Sequence, residues 1–206
     1  MKMRIEARGL KDVLKRLGKY ENAAQKILLT TGNDLRSRVP GRVATDVRTV
    51  YGIKKADIMP AKKGDKVRRA GKIRVNGSTV SNVSFVYTGH RLNVARFQMK
   101  PAAPIIKGVP VKQRKPVSVK IKKQRKTIDG VFLGHTGAKP EPGQKKMNYI
   151  AFRRKTKKRY PIEPVRTLSL PQMVDNPNVS ELIREDINDM IVKRLNHNIR
   201  RFLGDR

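Results

Sequence analysis

Near its C-terminus the chain reads NVSELIREDINDMIVKRLNHNIRRFLG, residues 178–204, and this stretch decides one layer of the fold. Acidic residues crowd its first half and basic residues its second half, which complements a helix dipole. Asn178 and Glu181 have the spacing of a capping box. Gly204 stands where a helix-terminating glycine belongs. The pattern predicts a C-terminal amphipathic helix in the segment 176–206.

The apolar stripe of this helix advances by four residues at each step. A four-residue step turns the stripe by about 40°, so five steps wind it about 200° around the helix, and one straight partner cannot cover it all. Two interpretations stay open. Either the helix crosses its own core obliquely, or its last two turns face another subunit. The interface candidates for the second interpretation are Leu195, Ile199, Phe202 and Leu203.

Residues 1–60 are also largely helical by pattern, after a short alternating strand at Met3–Arg8. Apolar residues at i, i+3, i+4 and i+7 predict a helix through 10–17, and a second helical pattern covers 23–35. Because proline costs a hydrogen bond inside a helix, Pro40 is expected to open a new helix. We expect that helix to stop near Gly52, and one more turn to follow.

The middle part, 61–175, alternates in the manner of strands. Asn76-Gly77 is a hairpin signal between two predicted strands. The predicted strands are Lys72–Asn76, Val80–Thr88, Val117–Lys122, Ile128–Leu133 and Met147–Phe152; Arg91–Met99 stays open between strand and loop. The expected fold class is α+β: N-terminal helices, a central, mostly antiparallel β-sheet with basic loops, and the C-terminal helix, in a single domain spanning 1–206.

The charge is large and uneven. Among 206 residues, 49 Lys and Arg against 16 Asp and Glu give a net charge of +33. Residues 61–160 hold 28 of the bases and only 3 of the acids, whereas 161–206 is neutral overall. Self-repulsion at such a charge opposes a compact isolated monomer. We therefore expect the central part to lie beside a polyanion or acidic neighbours.

Two basic clusters flank predicted strands and are the candidates for contact with phosphates. Such runs contact the nucleic-acid backbone without reading sequence, and acidic protein neighbours stay the alternative. Aromatic residues are 5% of the chain, which is sparse for base stacking. The first cluster is Lys112, Arg114, Lys115, Lys120, Lys122, Lys123, Arg125 and Lys126. The second cluster is Arg153, Arg154, Lys155, Lys157, Lys158 and Arg159.

The sequence offers little for catalysis. Without cysteine there is no disulfide, thiolate zinc site or cysteine nucleophile. The histidines, His90, His135 and His197, have no ligand spacing, and the basic middle lacks the convergent carboxylates of a metal-dependent nuclease. We expect no enzyme, no cofactor and no metal. Neither a secretory signal nor a membrane-spanning apolar run is predicted.

The order of several segments resembles the prophage minor tail protein Z family, the tail-completion proteins of long-tailed bacteriophages. The resemblance covers nearly the whole length and depends on order and spacing rather than on one motif. One departure is Leu168–Pro171, where a Gly-Pro-Ser-like turn is expected. The matching segments are 47–54, 91–97, 117–122, 130–133, 150–154, 159–162 and the C-terminal helix.

The resemblance implies a virion structural protein at the phage head–tail junction, completing the upper end of the tail. It implies a ring of like subunits, commonly sixfold, in contact with other neck and tail proteins and with the backbone of the genomic DNA. Its implied location is the virion, with the host cytoplasm during assembly, and no membrane. Two alternatives stay open: a tail terminator at the same site, and a non-virion nucleic-acid-binding protein.

Overall fold

The computed structural model describes residues 2–4, 21–59, 71–104, 116–136 and 149–204. It confirms an α+β fold. The helices are α1 (Glu21–Val50), α2 (Lys55–Ile58), α3 (Leu170–Val174) and α4 (Pro177–Leu203), with a 3-10 turn at Val94–Arg96. The strands are β1 (Lys2–Arg4), β2 (Lys72–Asn76), β3 (Ser84–Thr88), β4 (Ser118–Val119), β5 (Lys126–Thr127), β6 (Val131–His135), β7 (Tyr149–Arg154) and β8 (Ile162–Pro164). The predicted helix at 10–17 lies outside the described residues.

The two long helices, α1 and α4, pack against each other in antiparallel fashion. Asn198 meets Thr31 near the start of α1, and Asp186 meets Arg42 further along it. The stripe residues Ile183, Ile187 and Ile191 are buried in the main hydrophobic cluster. This packing favours the interpretation in which α4 crosses its own core.

Two predictions about helix ends are wrong. Pro40 opens no new helix; it is buried inside α1, which continues from Glu21 to Val50. The missing hydrogen bond is tolerated where the surrounding positions Val39, Val43 and Ala44 are fully buried. The capping box at Asn178 is also absent. Asn176 is the N-cap, because Pro177 occupies the first helical position, where its lack of an N–H costs nothing.

All described strand pairs are antiparallel, but they form three small sheets and not one central sheet. β1 and β2 flank β3, with Met3 opposite Phe85 and Val75 opposite the same residue. β4 pairs with β5, and β7 lies between β6 and β8. The predicted strand Val117–Lys122 is thus reduced to two residues. The predicted strand Ile128–Leu133 corresponds to β6, but the expected pairing of this strand with Val117–Lys122 is wrong, because β6 pairs with β7 and only the short β5 pairs with β4.

The Asn76-Gly77 hairpin exists, although with a longer connection than the two-residue turn. Residues 77–83 join β2 to β3, and Gly77 adopts a positive φ of 81°. Asn82 Oδ1 accepts hydrogen bonds from the backbone N–H groups of Ser78 and Thr79. The connection lies against α1 at Gly32, where a Cβ would overlap the Ser78 carbonyl. The glycine therefore permits helix and hairpin to approach closely.

The sequence pattern does not predict α3, because a helix of five residues is too short to show a helical period. Ser169 caps α3 in a capping box with Gln172. Leu170, Met173 and Val174 are fully buried in the main cluster with Phe85 and Tyr87 of β3. A second cluster contains Val94, Val117, Val119 and Ala151. The arrangement of the whole chain as one domain stays a prediction.

Candidate nucleic-acid interface

The first basic cluster lies on the hairpin formed by β4, β5 and the residues between them, which we call the lysine hairpin (118–127). Alternation fixes its orientation, since Val117 and Val119 are buried and Ile121 packs against both hydrophobic clusters. The tip therefore exposes Lys122, Lys123 and Lys126, while Lys120 is half-buried. Lys112, Arg114 and Lys115 lie outside the described residues.

The lysine hairpin is attached to its surroundings by backbone hydrogen bonds. Lys100 and Ser118 exchange two of them, each 2.8 Å long. The Gly52 N–H donates to the Ile121 carbonyl at 2.9 Å, so the hairpin is fixed to the chain just after α1. These bonds hold the exposed lysines in a defined place.

Arg125 differs from its lysine neighbours. Its Nη1 donates to the Gln98 carbonyl at 2.9 Å and to the Ser118 carbonyl at 3.3 Å. Gln98 itself has a positive φ of 45°. One nitrogen of this guanidinium is thus engaged in joining the hairpin to the 3-10 turn region, and Arg125 contributes to the architecture as well as to the charge.

The second basic cluster lies at the end of β7 and on its connection to β8, which we call the basic connection (153–159). Every residue in it is exposed. Lys155 Nζ is 3.5 Å from Glu163 Oε2, with both side chains about half exposed; such a surface pair stabilises the fold little. The Thr156 hydroxyl accepts a hydrogen bond from the Lys158 N–H at 3.2 Å, which helps to order the turn.

Aromatic side chains accompany the basic connection, and sequence reasoning missed them. The ring of Phe132 stacks on that of Phe152 at 6.1 Å between centroids, and the Arg154 guanidinium lies 5.3 Å from the Phe132 centroid. Arg159 lies 5.8 Å from the centroid of Tyr160, which is 64% exposed. Aromatics are sparse overall, but register places Phe132 opposite Phe152 beside the cations. This is a signal that composition cannot reveal.

The four interface candidates on α4 have different surroundings. Leu195 is buried with Ile27 of α1, and Ile199 and Leu203 are half-buried against the same small cluster. Their apolar surface is therefore largely used within the chain. Phe202 is 36% exposed, with the Arg201 guanidinium 5.4 Å from its ring centroid. Phe202 is the candidate that retains apolar surface for a neighbour.

A cavity of about 830 Å³ opens between the lysine hairpin, the end of α1 and the start of α4. Its apolar lining comes from Val50, Val119, Ile121 and Leu182. The other described residues that line it are Lys122, Lys123, Gln124 and Lys126 of the hairpin, Thr49 of α1, and Asn176 and Asn178 at the start of α4. We call this cavity the hairpin groove.

A buried carboxyl group lies between α1 and α4. Asp46 is 5% exposed, and its Oδ2 has no hydrogen-bond partner among the described residues. Burial, and next the neighbouring Asp186, raise the pKa of Asp46 from 3.8 to about 7. Arg42 donates to Asp186 through two nitrogens, at 2.5 and 2.8 Å, and this contact lowers the pKa of Asp186. Asp46 and Asp186 thus have pKa values displaced in opposite directions within one contact between the two helices.

The described part of the chain holds no group of three or more His, Asp and Glu side chains that could bind a metal ion. The acidic row Glu181, Glu185 and Asp189 is exposed on α4. None of the described helices is long and apolar enough to cross a bilayer.

Comparison of the chain with protein-family models, curated proteins and solved structures finds no match. The resemblance to tail-completion proteins, which rests on segment order, therefore stays a prediction. Function has to be argued from the chemistry of the site.

Proposed function

We propose that this protein is a virion structural protein of a phage head–tail junction, completing the upper end of the tail as part of a ring, with the basic connection turned toward the DNA channel. The observation that carries the proposal is the basic connection itself. It places six cations on seven consecutive exposed residues, two at the end of β7 and four on its connection to β8. Among its described residues, the single ion pair joins Lys155 to Glu163.

Phosphate groups account for such a surface economically. Clustered lysines and arginines bind the nucleic-acid backbone by displacing counterions, and they do so without sequence information. A subunit beside DNA in transit needs this kind of contact, because the DNA sequence passing it varies. Phosphates would also offset the repulsion that a net charge of +33 causes within and between subunits.

The scaffold supports a structural role. Two long antiparallel helices, α1 and α4, share the main hydrophobic cluster with the sheet that contains β3, and Ile121 packs against both this cluster and the second one. In the proposed particle the chain forms a homo-oligomeric ring, sixfold as the resemblance implies, and contacts other neck and tail proteins. No catalytic step, cofactor or metal is part of this proposal. A tail terminator at the same end of the tube is the neighbouring alternative within the same class.

One observation favours a second candidate, a nucleic-acid-binding protein outside the virion. Phe132 and Phe152 are half-buried, stacked and next to Arg154, while Tyr160 is largely exposed beside Arg159. Exposed rings among cations can stack on unpaired bases. This candidate predicts a preference for single-stranded over duplex DNA, whereas the ring proposal predicts none.

The deciding experiment is localisation by cryo-electron microscopy in purified phage particles from the host that carries the gene, with symmetry applied only after inspection. We expect density at the top of the tail that fits α1 and α4, with residues 153–159 toward the lumen. Absence of the protein from purified particles, checked by mass spectrometry, would overturn the structural proposal and favour the second candidate.

A further inference from the structure

The hairpin groove has the features of a binding site and not of a packing defect. It opens to solvent, and Leu182 on its wall is 40% exposed although it is a large apolar side chain. Val50 and Ile121 beside it are half-buried. Contiguous apolar surface inside a cavity of this size commonly marks a site for a ligand or a partner.

The charged side chains among the described residues that line the groove are all positive. Lys122, Lys123 and Lys126 line it, and no acidic residue lies among its described lining residues. None of these lysines forms an ion pair within the described part of the chain. A ligand that fits must therefore combine negative charge with apolar groups.

We propose that the hairpin groove binds a segment of a partner protein in which carboxylate side chains accompany leucine-like apolar side chains. The apolar side chains would cover Leu182 and Ile121, and the carboxylates would pair with the lysines. Duplex nucleic acid fits less well, because its bases are stacked inside and the phosphates and sugars that it presents gain little from an apolar floor. A second copy of the same chain exposes the acidic row of α4, but it would also bring its net charge of +33 toward these lysines, which opposes docking.

This inference goes beyond the proposed function, because it assigns the two basic clusters to different partners. The basic connection, with cations and exposed aromatic edges, faces phosphates. The lysine hairpin, with cations around an apolar cavity, faces acidic protein. Specific protein recognition typically joins a buried apolar centre to a charged rim in this way.

The test uses the full-length protein and fluorescein-labelled synthetic peptides, with binding followed by fluorescence anisotropy. One peptide alternates glutamate with leucine, a second alternates glutamate with serine, and a DNA duplex serves as the polyanion competitor. The variant Leu182→Ser removes exposed apolar surface from the groove. Val192→Ser is its matched control, because Val192 is 52% exposed on the same helix and does not line the groove. Circular dichroism and thermal melting check that both variants fold.

We expect saturable binding of the glutamate–leucine peptide, weakened about tenfold by Leu182→Ser and unchanged by Val192→Ser. Replacing Lys122, Lys123 and Lys126 by Gln should weaken this peptide more than it weakens the DNA duplex. Three results would overturn the inference. They are absence of saturable binding, equal binding of the glutamate–serine peptide, and loss of duplex binding as large as the loss of peptide binding in the lysine variant. These results do not depend on whether the protein is found in phage particles, so the inference and the proposed function are tested separately.

Discussion

The backbones of Gly52 and Lys120 lie in direct contact, so that a Cβ on Gly52 would overlap the Lys120 carbonyl oxygen. The adjoining hydrogen bond from Gly52 N–H to the Ile121 carbonyl, 2.9 Å long, fixes the same junction. The glycine after α1 thus allows the lysine hairpin to approach the helix pair this closely. The shape of the hairpin groove depends on this contact.

Gly52→Ala is expected to lower the free energy of unfolding by about 1–3 kcal/mol, because the added methyl group forces backbone apart. The same substitution should weaken binding of the glutamate–leucine peptide. Urea denaturation and anisotropy measure the two effects. Gly41→Ala is the matched control: its Cβ would meet nothing within 4 Å, and it lies inside α1. Alanine there should stabilise the protein by about 0.5–1 kcal/mol. Equal effects of the two substitutions would contradict the role of Gly52.

The stability of the helix pair should fall as the pH rises. The folded-state pKa of Asp46 is raised from 3.8 to about 7, so the folded protein holds this proton more tightly than the unfolded chain. The resulting stabilisation is complete below about pH 4 and is lost as the pH rises through about 7. Above about pH 7 the ionised carboxylate of Asp46 lies beside the ionised carboxylate of Asp186, and the two repel each other. The pKa of Asp186 is lowered by its contact with Arg42, so the stabilisation from this carboxylate is lost as the pH falls and not as it rises. That loss occurs only in more acidic solution.

Asp46→Asn is the test of this assignment, because asparagine stays neutral at every pH. Denaturation at intervals between pH 4 and pH 8 should show a decline in the native protein and a flatter profile in Asp46→Asn. A decline of the same size in both proteins would place the pH dependence elsewhere in the chain.

The buried contact between Asn198 and Thr31 should matter most when only one partner is changed. Asn198 Nδ2 donates to Thr31 Oγ1 at 2.9 Å and lies 3.4 Å from an Asp34 carboxylate oxygen. Asn198→Leu leaves the Thr31 hydroxyl buried without its partner, at a cost of about 1–3 kcal/mol. The double variant Thr31→Val/Asn198→Leu should recover part of that loss in urea denaturation. Additive losses would show that the two side chains are not coupled.

DNA binding by the basic connection should depend steeply on salt. Replacing Lys155, Lys157 and Lys158 by Gln should reduce the slope of log K against log[salt] by up to about 3 for duplex DNA. The control, with the same loss of charge, replaces Lys26, Lys193 and Arg200 of the helix pair, all of them exposed. Fluorescence anisotropy over a range of salt concentrations measures both slopes. Equal reductions would indicate attraction by overall charge and no defined phosphate surface.

Self-association of the isolated protein should be weak and dependent on salt. Repulsion between subunits of charge +33 opposes assembly, and raising the salt from about 0.1 M to about 1 M shortens the screening length from about 10 Å to about 3 Å. Sedimentation velocity should therefore show monomer at low salt and larger species at high salt. An oligomer with the same stability at low and high salt would contradict the idea that charge repulsion between subunits is offset only in the particle.

Local pattern was sufficient for the helical character of α4 and for many of the residues that face the core. The four-residue stripe of α4 marks Ile183, Ile187, Ile191 and Leu195 as buried, and the predicted strand Val80–Thr88 alternates so that Val83, Phe85 and Tyr87 are buried. These predictions succeed because side-chain periodicity is set by backbone geometry within one element. Pattern failed at Pro40 and Asn178, where general preferences gave way to burial and to the neighbouring Pro177.

The sequence by itself determined the α+β class, the amphipathic C-terminal helix and the concentration of charge in the middle of the chain. Tertiary structure alone decided that the described strands form three sheets, that β6 pairs with β7, and that Phe132 meets Arg154. Tertiary structure also brought the end of α1 and the start of α4 together with the lysine hairpin, around an apolar groove. The physical reason is that periodicity and charge are properties of neighbouring residues. Strand pairing and cavity walls depend instead on residues that are far apart in sequence, whose meeting is decided by the packing of the whole core.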